Sequence, residues 1–172
     1  MSITTKKGDG GFTDLPDTAT GIENNGRVQK DHPYIEYLGT LDELDASLAL
    51  CEIALQSNST AHFSSLIKKV REALFTADNH PDIAWLEQHI ETLEKENPIH
   101  GFVKNWTNPA AAAINAARTV CRRCERRAIT ALTANSATVE ISSPLNAACA
   151  LLNRLSDLLF LLAVAEEKNF CK

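Results

Sequence analysis

Residues 108–134 read NPAAAAINAARTVCRRCERRAITALTA. Asn108 followed by Pro109 is a helix start, a capping side chain and then a proline whose missing N–H costs nothing at the first helical position. Ile114, Ala117, Val120, Cys121, Cys124 and Ala128 then recur at helical spacing on one face, and the helix they predict runs to about Ala134. Around that face stand Arg118, Arg122, Arg123, Arg126 and Arg127, five guanidinium groups in ten residues. Arg118, Arg122 and Arg126 form one line, with Arg123 and Arg127 as a second line beside it. Glu125 is one carboxylate and cannot neutralise five cations. The stretch suits either a seam salt-bridged to neighbouring helices or a polyphosphate site, because guanidinium groups bind phosphate oxygens bidentately. Spacing alone leaves both readings open.

Working outward, the same periodicity predicts four more helices. Asp31 can cap the first, with Pro33 in its first turn and Leu38, Leu41, Leu44, Leu48 and Cys51 on its inner face, ending near Ser57-Asn58. Thr60 can cap the second, whose inner face carries Phe63, Leu66, Ile67, Val70 and Leu74 before His80-Pro81 breaks it. A third runs from about Asp82 to Glu96 on Ile83, Leu86, Ile90 and Leu93, closed by Asn97-Pro98. A loop over 98–108 leads to the arginine helix, and Ser143-Pro144 opens the fifth, through about Lys168. Residues 1–30 are polar and aperiodic, a loop or extended arm. Only ATVEIS, 137–142, alternates like a strand. The expected fold is all-α, a five-helix up-and-down bundle forming a single domain over 1–172, with residues 1–30 as an N-terminal loop and 31–172 as the bundle.

Composition narrows the function classes. Basic residues number 17 against 22 acidic, a net charge of −5, so a surface that binds nucleic acid non-specifically is not expected. The N-terminal MSITTKKGDGG lacks the apolar run of a secretory signal, and LLFLLAVA is too short to span a bilayer, so no membrane partner is expected. Five cysteines, odd in number and mostly within helical patterns, read as reduced thiols in a cytoplasmic protein. Cys121 and Cys124 form a C-x-x-C, but mid-helix and without a second ligand pair, which suits neither zinc nor redox chemistry.

Three other stretches carry polar groups where a bundle would not need them. In LLNRLSDLLFLL, Asn153, Ser156 and Asp157 share a face of the fifth helix; they suit an interhelical hydrogen-bond network or a ligand contact. In LDELD, Asp42, Glu43 and Asp45 can answer arginines on another helix or subunit. In TTKKGDGGFT, Gly8, Gly10 and Gly11 with Lys6, Lys7, Thr5 and Thr13 have the composition of an anion-cradling loop, without the spacing of a P-loop.

Taken in order, TTKKGDGGFT, RVQKDHPYIEYLGTLDELDASLAL, AARTVCRRCERR and LNRLSDLLFLLA resemble the PduO-type ATP:cob(I)alamin adenosyltransferase family over nearly the full length. The resemblance implies a homotrimer with active sites between subunits. It implies transfer of the 5′-deoxyadenosyl group of ATP to the cobalt of cob(I)alamin, with Mg²⁺ and release of triphosphate. By match to the family motifs, Thr5, Lys6, Lys7, Gly8, Thr13 and Asp14 would wrap the nucleotide and Lys30 would reach a phosphate. Arg122, Arg123, Glu125 and Arg126 would hold triphosphate and Mg²⁺-linked groups, and Asn153 would contact the nucleotide. Arg118 would pair with Asp42 across the subunit boundary, and Phe102 would face the corrin. A reductase or an adenosylcobalamin-dependent enzyme would be a further partner. The chain departs from the family at Asn105-Trp106-Thr107, where a Pro-Gly-Gly-type turn is usual, at Asn115, where a His is usual, and in its short tail after Lys168. Those departures motivate an alternative reading, a non-catalytic ATP- or corrinoid-binding protein on the same scaffold.

Overall fold

The computed structural model describes residues 4, 6–15, 26–56, 60–74, 83–99, 101, 105–134 and 144–170. Five helices dominate it: α1 (Pro33–Leu55), α2 (Ala61–Leu74), α3 (Ile83–Glu96), α4 (Pro109–Ala134) and α5 (Pro144–Phe170). Helix α4 is the centre, packed between α1 and α5, while α2 lies on α1 and α3 lies on α5. Helix α4 runs antiparallel to α5, with Asn108 at Glu166 and Cys121 at Leu152, and antiparallel to α1, with Arg123 at Glu43 and Arg127 at Glu36. Helix α3 runs parallel to α5, with Glu87 at Arg154 and Pro98 at Lys168. This is the expected bundle.

The packing follows from side-chain size. The buried face of α4 is Ala110, Ile114, Ala117, Cys121, Cys124, Ala128 and Ala131, mostly small groups at alternating four- and three-residue steps. Against it come large ones, Leu41, Leu44, Leu48 and Leu55 from α1 and Leu151, Leu152, Leu155, Leu158, Leu159 and Leu162 from α5. Each fully buried leucine contributes about 1.5–3 kcal/mol, so the small seam admits two layers of leucine at close range. Helix α5 over Leu145–Phe170 is apolar and long enough, by length and composition alone, to cross a membrane, which the short run LLFLLAVA did not convey. Its leucines and alanines from Leu151 to Ala165 are buried in the bundle core.

Four details differ from the sequence expectation. A two-stranded antiparallel hairpin interrupts the N-terminal arm, β1 (Phe12–Asp14) with β2 (Arg27–Gln29), Thr13 opposite Val28. Its three-residue strands are too short for alternation to register. The side chain that caps α1 is His32, not Asp31: its Nδ1 accepts the Tyr34 N–H at 3.2 Å, with Pro33 at the first helical position as expected. Helix α1 also ends at Leu55, short of Ser57-Asn58, and α5 continues to Phe170. The breaks at 80–81 and the stretch 137–142 lie outside the described residues.

Thr60 carries a different load from a simple cap. Its carbonyl accepts the Phe63 N–H at 2.8 Å, but its hydroxyl donates to Glu166 of α5. Glu166, only 2% exposed, also accepts from Asn108 Nδ2 at 2.8 Å. Asn108 in turn caps α4, its Oδ1 accepting the Ala110 N–H at 2.8 Å. Next to it, Glu167 accepts from the Thr107 and Asn108 N–H groups at 2.9 and 3.0 Å and from the Thr107 hydroxyl. Two adjacent carboxylates at the end of α5 thus tie down the starts of α2 and α4.

Glu166→Ala leaves a buried amide and hydroxyl short of a partner and is expected to cost about 2–4 kcal/mol in urea unfolding. For Glu167, burial pushes the carboxyl pKa up, but the hydrogen bonds from Thr107 and Asn108 outweigh it and hold it below the ordinary value. Its contribution is therefore complete above the ordinary carboxylate range and is lost as pH falls through the depressed folded value. Thermal melts across the acid range should show a shallower acid-side loss in Glu167→Gln than in the parent.

Candidate functional site

The N-terminal segment is built by tight turns. Asp9 N–H bonds the Lys6 carbonyl at 3.3 Å and Gly11 N–H bonds the Gly8 carbonyl at 3.2 Å. Lys6 stands at φ 59° and Gly11 at φ 81°, left-handed conformations that are costly for the first and free for the second. Lys30 N–H closes onto the Gly11 carbonyl at 2.9 Å, which brings β2 back alongside the turn. A Cβ on Gly8 would stand 3.0 Å from Lys30 Nζ, so glycine there lets the ammonium lie over the loop.

Arg27, which the sequence did not single out, fastens this segment. Its Nη2 donates to the Lys7 carbonyl at 2.7 Å, and its Nε pairs with Asp14 at 2.9 Å. Asp14 is therefore engaged within the hairpin, and both partners of that pair are exposed.

Between the hairpin and α1 lies a cavity of about 430 Å³ lined by Thr13, Lys30, Ile35, Glu36, Gly39, Thr40 and Glu43. Its far wall reaches the arginines of α4: Glu43 pairs with Arg123, and Glu36 pairs with Arg127 at 3.5 Å. Arg127, without a role in the sequence reading, thus has a structural partner. Each of these half-exposed pairs contributes only about 0–1 kcal/mol. Two carboxylates of LDELD answer arginines as expected: Glu43 pairs with Arg123 of α4, and Asp45 with Arg71 of α2 at 2.8 Å, where Glu52 of α1 joins it at 2.9 Å. Asp42 is exposed and makes no ion pair or hydrogen bond among the described residues.

The other arginine line meets no carboxylate among the described residues. Arg118 Nε donates to Asn115 Oδ1 at 3.0 Å, and its guanidinium lies 5.8 Å from the centre of the Phe160 ring. Arg126 Nη1 donates to the Arg122 carbonyl at 3.1 Å, and the Arg122 guanidinium has no partner among the described residues. Arg118, Arg122 and Arg126 are uncompensated positive charge on one line of a helix, and that arrangement attracts an anion.

Toward α5, Glu125 accepts from Asn153 Nδ2 at 3.0 Å, and Asn153 Oδ1 accepts from Arg154 Nη1 at 2.8 Å. Arg154 continues to Glu87 of α3 at 2.9 Å. The polar face of LNRLSD is therefore an interhelical network in this chain, with Asn153 and Glu125 held side by side. Asp157 is exposed, 3.8 Å from Arg154. The structure groups Thr13 and Lys30 at the hairpin cavity with Gly8 beside the Lys30 ammonium, brings Arg123 to its rim through Glu43, and keeps Asn153 and Glu125 on the α5 side of α4. Arg118 and Asp42 do not meet within one chain. Thr5 and Phe102 lie outside the described residues. Among the described residues no group of three or more His, Cys, Asp or Glu could hold a metal ion.

The sequence missed Arg27 and Glu36. Glu36 and Glu43 stand seven residues apart, two helical turns, and that interval was the available signal. A second cavity of about 430 Å³ lies between α2 and α3, lined by His62, Phe63, Trp85 and His89 among others, and contains none of the expected site residues.

A family model described as cobalamin adenosyltransferase matches residues 3–166. The corrinoid adenosyltransferase PduO of Salmonella typhimurium is 33% identical, aligned with 98% of this chain and 51% of its own length. The chain thus spans about half the length of the first curated relatives it matches. A shorter corrinoid adenosyltransferase of Citrobacter freundii is 30% identical, covering 96% of this chain and 94% of its own. Among solved structures, a variant PduO-type ATP:corrinoid adenosyltransferase from Lactobacillus reuteri, complexed with cobalamin and ATP, superposes with a TM-score of 0.74. It is 23% identical over 98% of this chain and 91% of that one, which shows the fold.

The cysteines give a direct check on the site's chemistry. Cys51 and Cys124 are buried, and burial pushes each thiol up to about 12; Cys121 is raised by the same cause and donates to the Leu152 carbonyl at 3.2 Å. The thiolate is the reactive form, so all three should resist alkylation at pH 8 in the native protein and react on unfolding, as read by peptide mass spectrometry. Rapid native labelling of Cys121 or Cys124 would restore C-x-x-C chemistry as an option.

Proposed function

We propose, for a chain that belongs to the cobalamin adenosyltransferase family, that it transfers the 5′-deoxyadenosyl group of ATP to the cobalt of cob(I)alamin and releases triphosphate. The observation that supports this best is the uncompensated line Arg118, Arg122 and Arg126 on α4, on the same helix as an arginine pair that borders a nucleoside-sized cavity with Lys30 and Thr13. The reduced cobalt is itself the nucleophile, so the chain need not supply one. The cobalt–C5′ bond forms as the C5′–O bond breaks, and the electron pair leaves with the triphosphate. The chain's task is then to position the ribose and stabilise the departing charge.

Within this reading, Lys6, Lys7, Gly8, Thr13 and Asp14 wrap the nucleotide together with Thr5, and Lys30 reaches a phosphate. Arg122, Arg123 and Arg126 hold the triphosphate, while Glu125 and Asn153 contact the nucleotide or its Mg²⁺-linked groups. Mg²⁺ travels on the phosphates, where it lowers their charge, in keeping with its habit of binding through phosphate oxygens, water and one or two carboxylates. Asn115, where the family pattern expects His, is occupied by Arg118. Thr107, in the departing Asn105-Trp106-Thr107 segment, is occupied by Glu167. Phe102 faces the corrin.

The assembly proposed is a homotrimer with the site between subunits, Asp42 of one copy meeting Arg118 of the next. The free Asp42 and the exposed Leu50 and Ile53 on the same helix, 66% and 64% accessible, support it. The described cysteines are all free, in keeping with a reducing cytoplasm. A reductase that makes cob(I)alamin and an enzyme that uses adenosylcobalamin would act before and after it.

Incubation with ATP, Mg²⁺ and chemically reduced cobalamin should give the spectrum of adenosylcobalamin, reversed by light. ATP binding without that conversion would instead identify a non-catalytic nucleotide binder. Arg122→Ala and Arg126→Ala should each weaken ATP binding by roughly ten- to a hundredfold, the loss of a charge-assisted contact of about 1.5–3 kcal/mol. Sedimentation should give a trimer that Asp42→Asn weakens.

A further inference from the structure

Glu36 and Glu43 stand two turns apart on α1, and Arg127 and Arg123 stand one turn apart on α4. Together they make a two-rung ladder along the edge of the hairpin cavity. Both glutamates line that cavity with Lys30 and Thr13, and all four ladder side chains are about half exposed. The lining by itself therefore sets one lysine against two carboxylates, which repels a polyphosphate. Counting the ladder arginines, three cations face two carboxylates, which attracts one. The sign depends on what the arginines are bonded to.

An exposed carboxylate–guanidinium pair is weak, and it loses to a bidentate guanidinium–phosphate contact in which the phosphate brings more charge and more oxygens. We propose that Glu43 is a competing counter-ion: it holds Arg123 at the cavity rim until polyphosphate takes the guanidinium from it, and it reclaims Arg123 as triphosphate leaves. Glu36 does the same for Arg127 over a longer 3.5 Å contact. Glu43 thus acts on the nucleotide through Arg123. Its carboxylate lowers the affinity for substrate and product together and speeds release. This rests on the ATP-dependent reading proposed above and deepens it.

The test is calorimetric titration of the full chain and of Glu43→Gln with ATP, AMP and inorganic triphosphate, alongside steady-state kinetics. Glu43→Gln should bind ATP and triphosphate about two- to fivefold more tightly, the worth of an exposed pair. AMP, which lacks the outer phosphates, should change by less. The KM for ATP should fall with no rise in kcat. Glu36→Gln should move in the same direction by a smaller factor. Unchanged or weaker ATP binding in Glu43→Gln overturns the proposal, because a carboxylate that merely positions Arg123 would give that result. Equal tightening for AMP also overturns it, since it indicates repacking of the cavity. A parent chain that binds ATP but makes no adenosylcobalamin defeats the enzymatic reading while leaving the counter-ion measurement intact.

Discussion

The bundle depends on how closely α1 and α5 can approach α4. Alanine and cysteine at the buried positions of α4 leave room for leucines from both sides, so one helix serves as the shared wall of two layers. Larger residues there would force the layers apart, because a close-packed interior has no slack to absorb them. The seam also fixes what the rest of α4 can do. With its inner positions given to small apolar groups, its outer ones are left to polar side chains: Arg123 and Arg127 toward α1, Arg118 and Glu125 toward α5, and Arg122 and Arg126 exposed.

The partition of those arginines follows from the same geometry. Arg123 and Arg127 face α1 and find Glu43 and Glu36. Arg118, Arg122 and Arg126 lie on the other line; Arg118 meets an amide and an aromatic ring, Arg126 a backbone carbonyl, and none of the three meets a carboxylate among the described residues. Five like charges that looked equivalent as a string therefore belong to two electrical environments. One is neutralised internally and borders the hairpin cavity. The other meets no carboxylate among the described residues. Glu125, between them in sequence, accepts from Asn153 and forms no ion pair with either line among the described residues.

Much of this was legible before any coordinates. Helix α4 announced itself by a capping Asn108, a proline and a recurring small-residue period, and α5 by Ser143-Pro144 followed by a leucine run interrupted by Asn153, Ser156 and Asp157. What stayed hidden was whatever depends on residues far apart in the chain. The hairpin has only Val28 buried, so no alternation marks it. Arg27 looked like one more surface cation, yet it bonds the Lys7 carbonyl twenty residues earlier. Asp31 was the better-known capping type, but His32 sits one residue nearer the helix and its ring nitrogen reaches the Tyr34 amide. The ion pair of Glu43 with Arg123 joins positions eighty residues apart, and only the folded bundle can bring them together. The family motifs identified residue types; which arginine faces which groove was a matter of helical phase.

The paired carboxylates near the end of α5 bear on the order of events during synthesis. Thr60 and Asn108 stand at the starts of α2 and α4, yet the groups that satisfy them, Glu166 and Glu167, are made much later. A nascent chain that has already emerged through α4 still has two helix starts whose polar groups must be served by water. Only when the final turn of α5 arrives do those starts acquire their permanent partners. The starts of α2 and α4 are thus latched by the last of the five helices, so a chain cut short before Glu166 lacks both carboxylates that serve them.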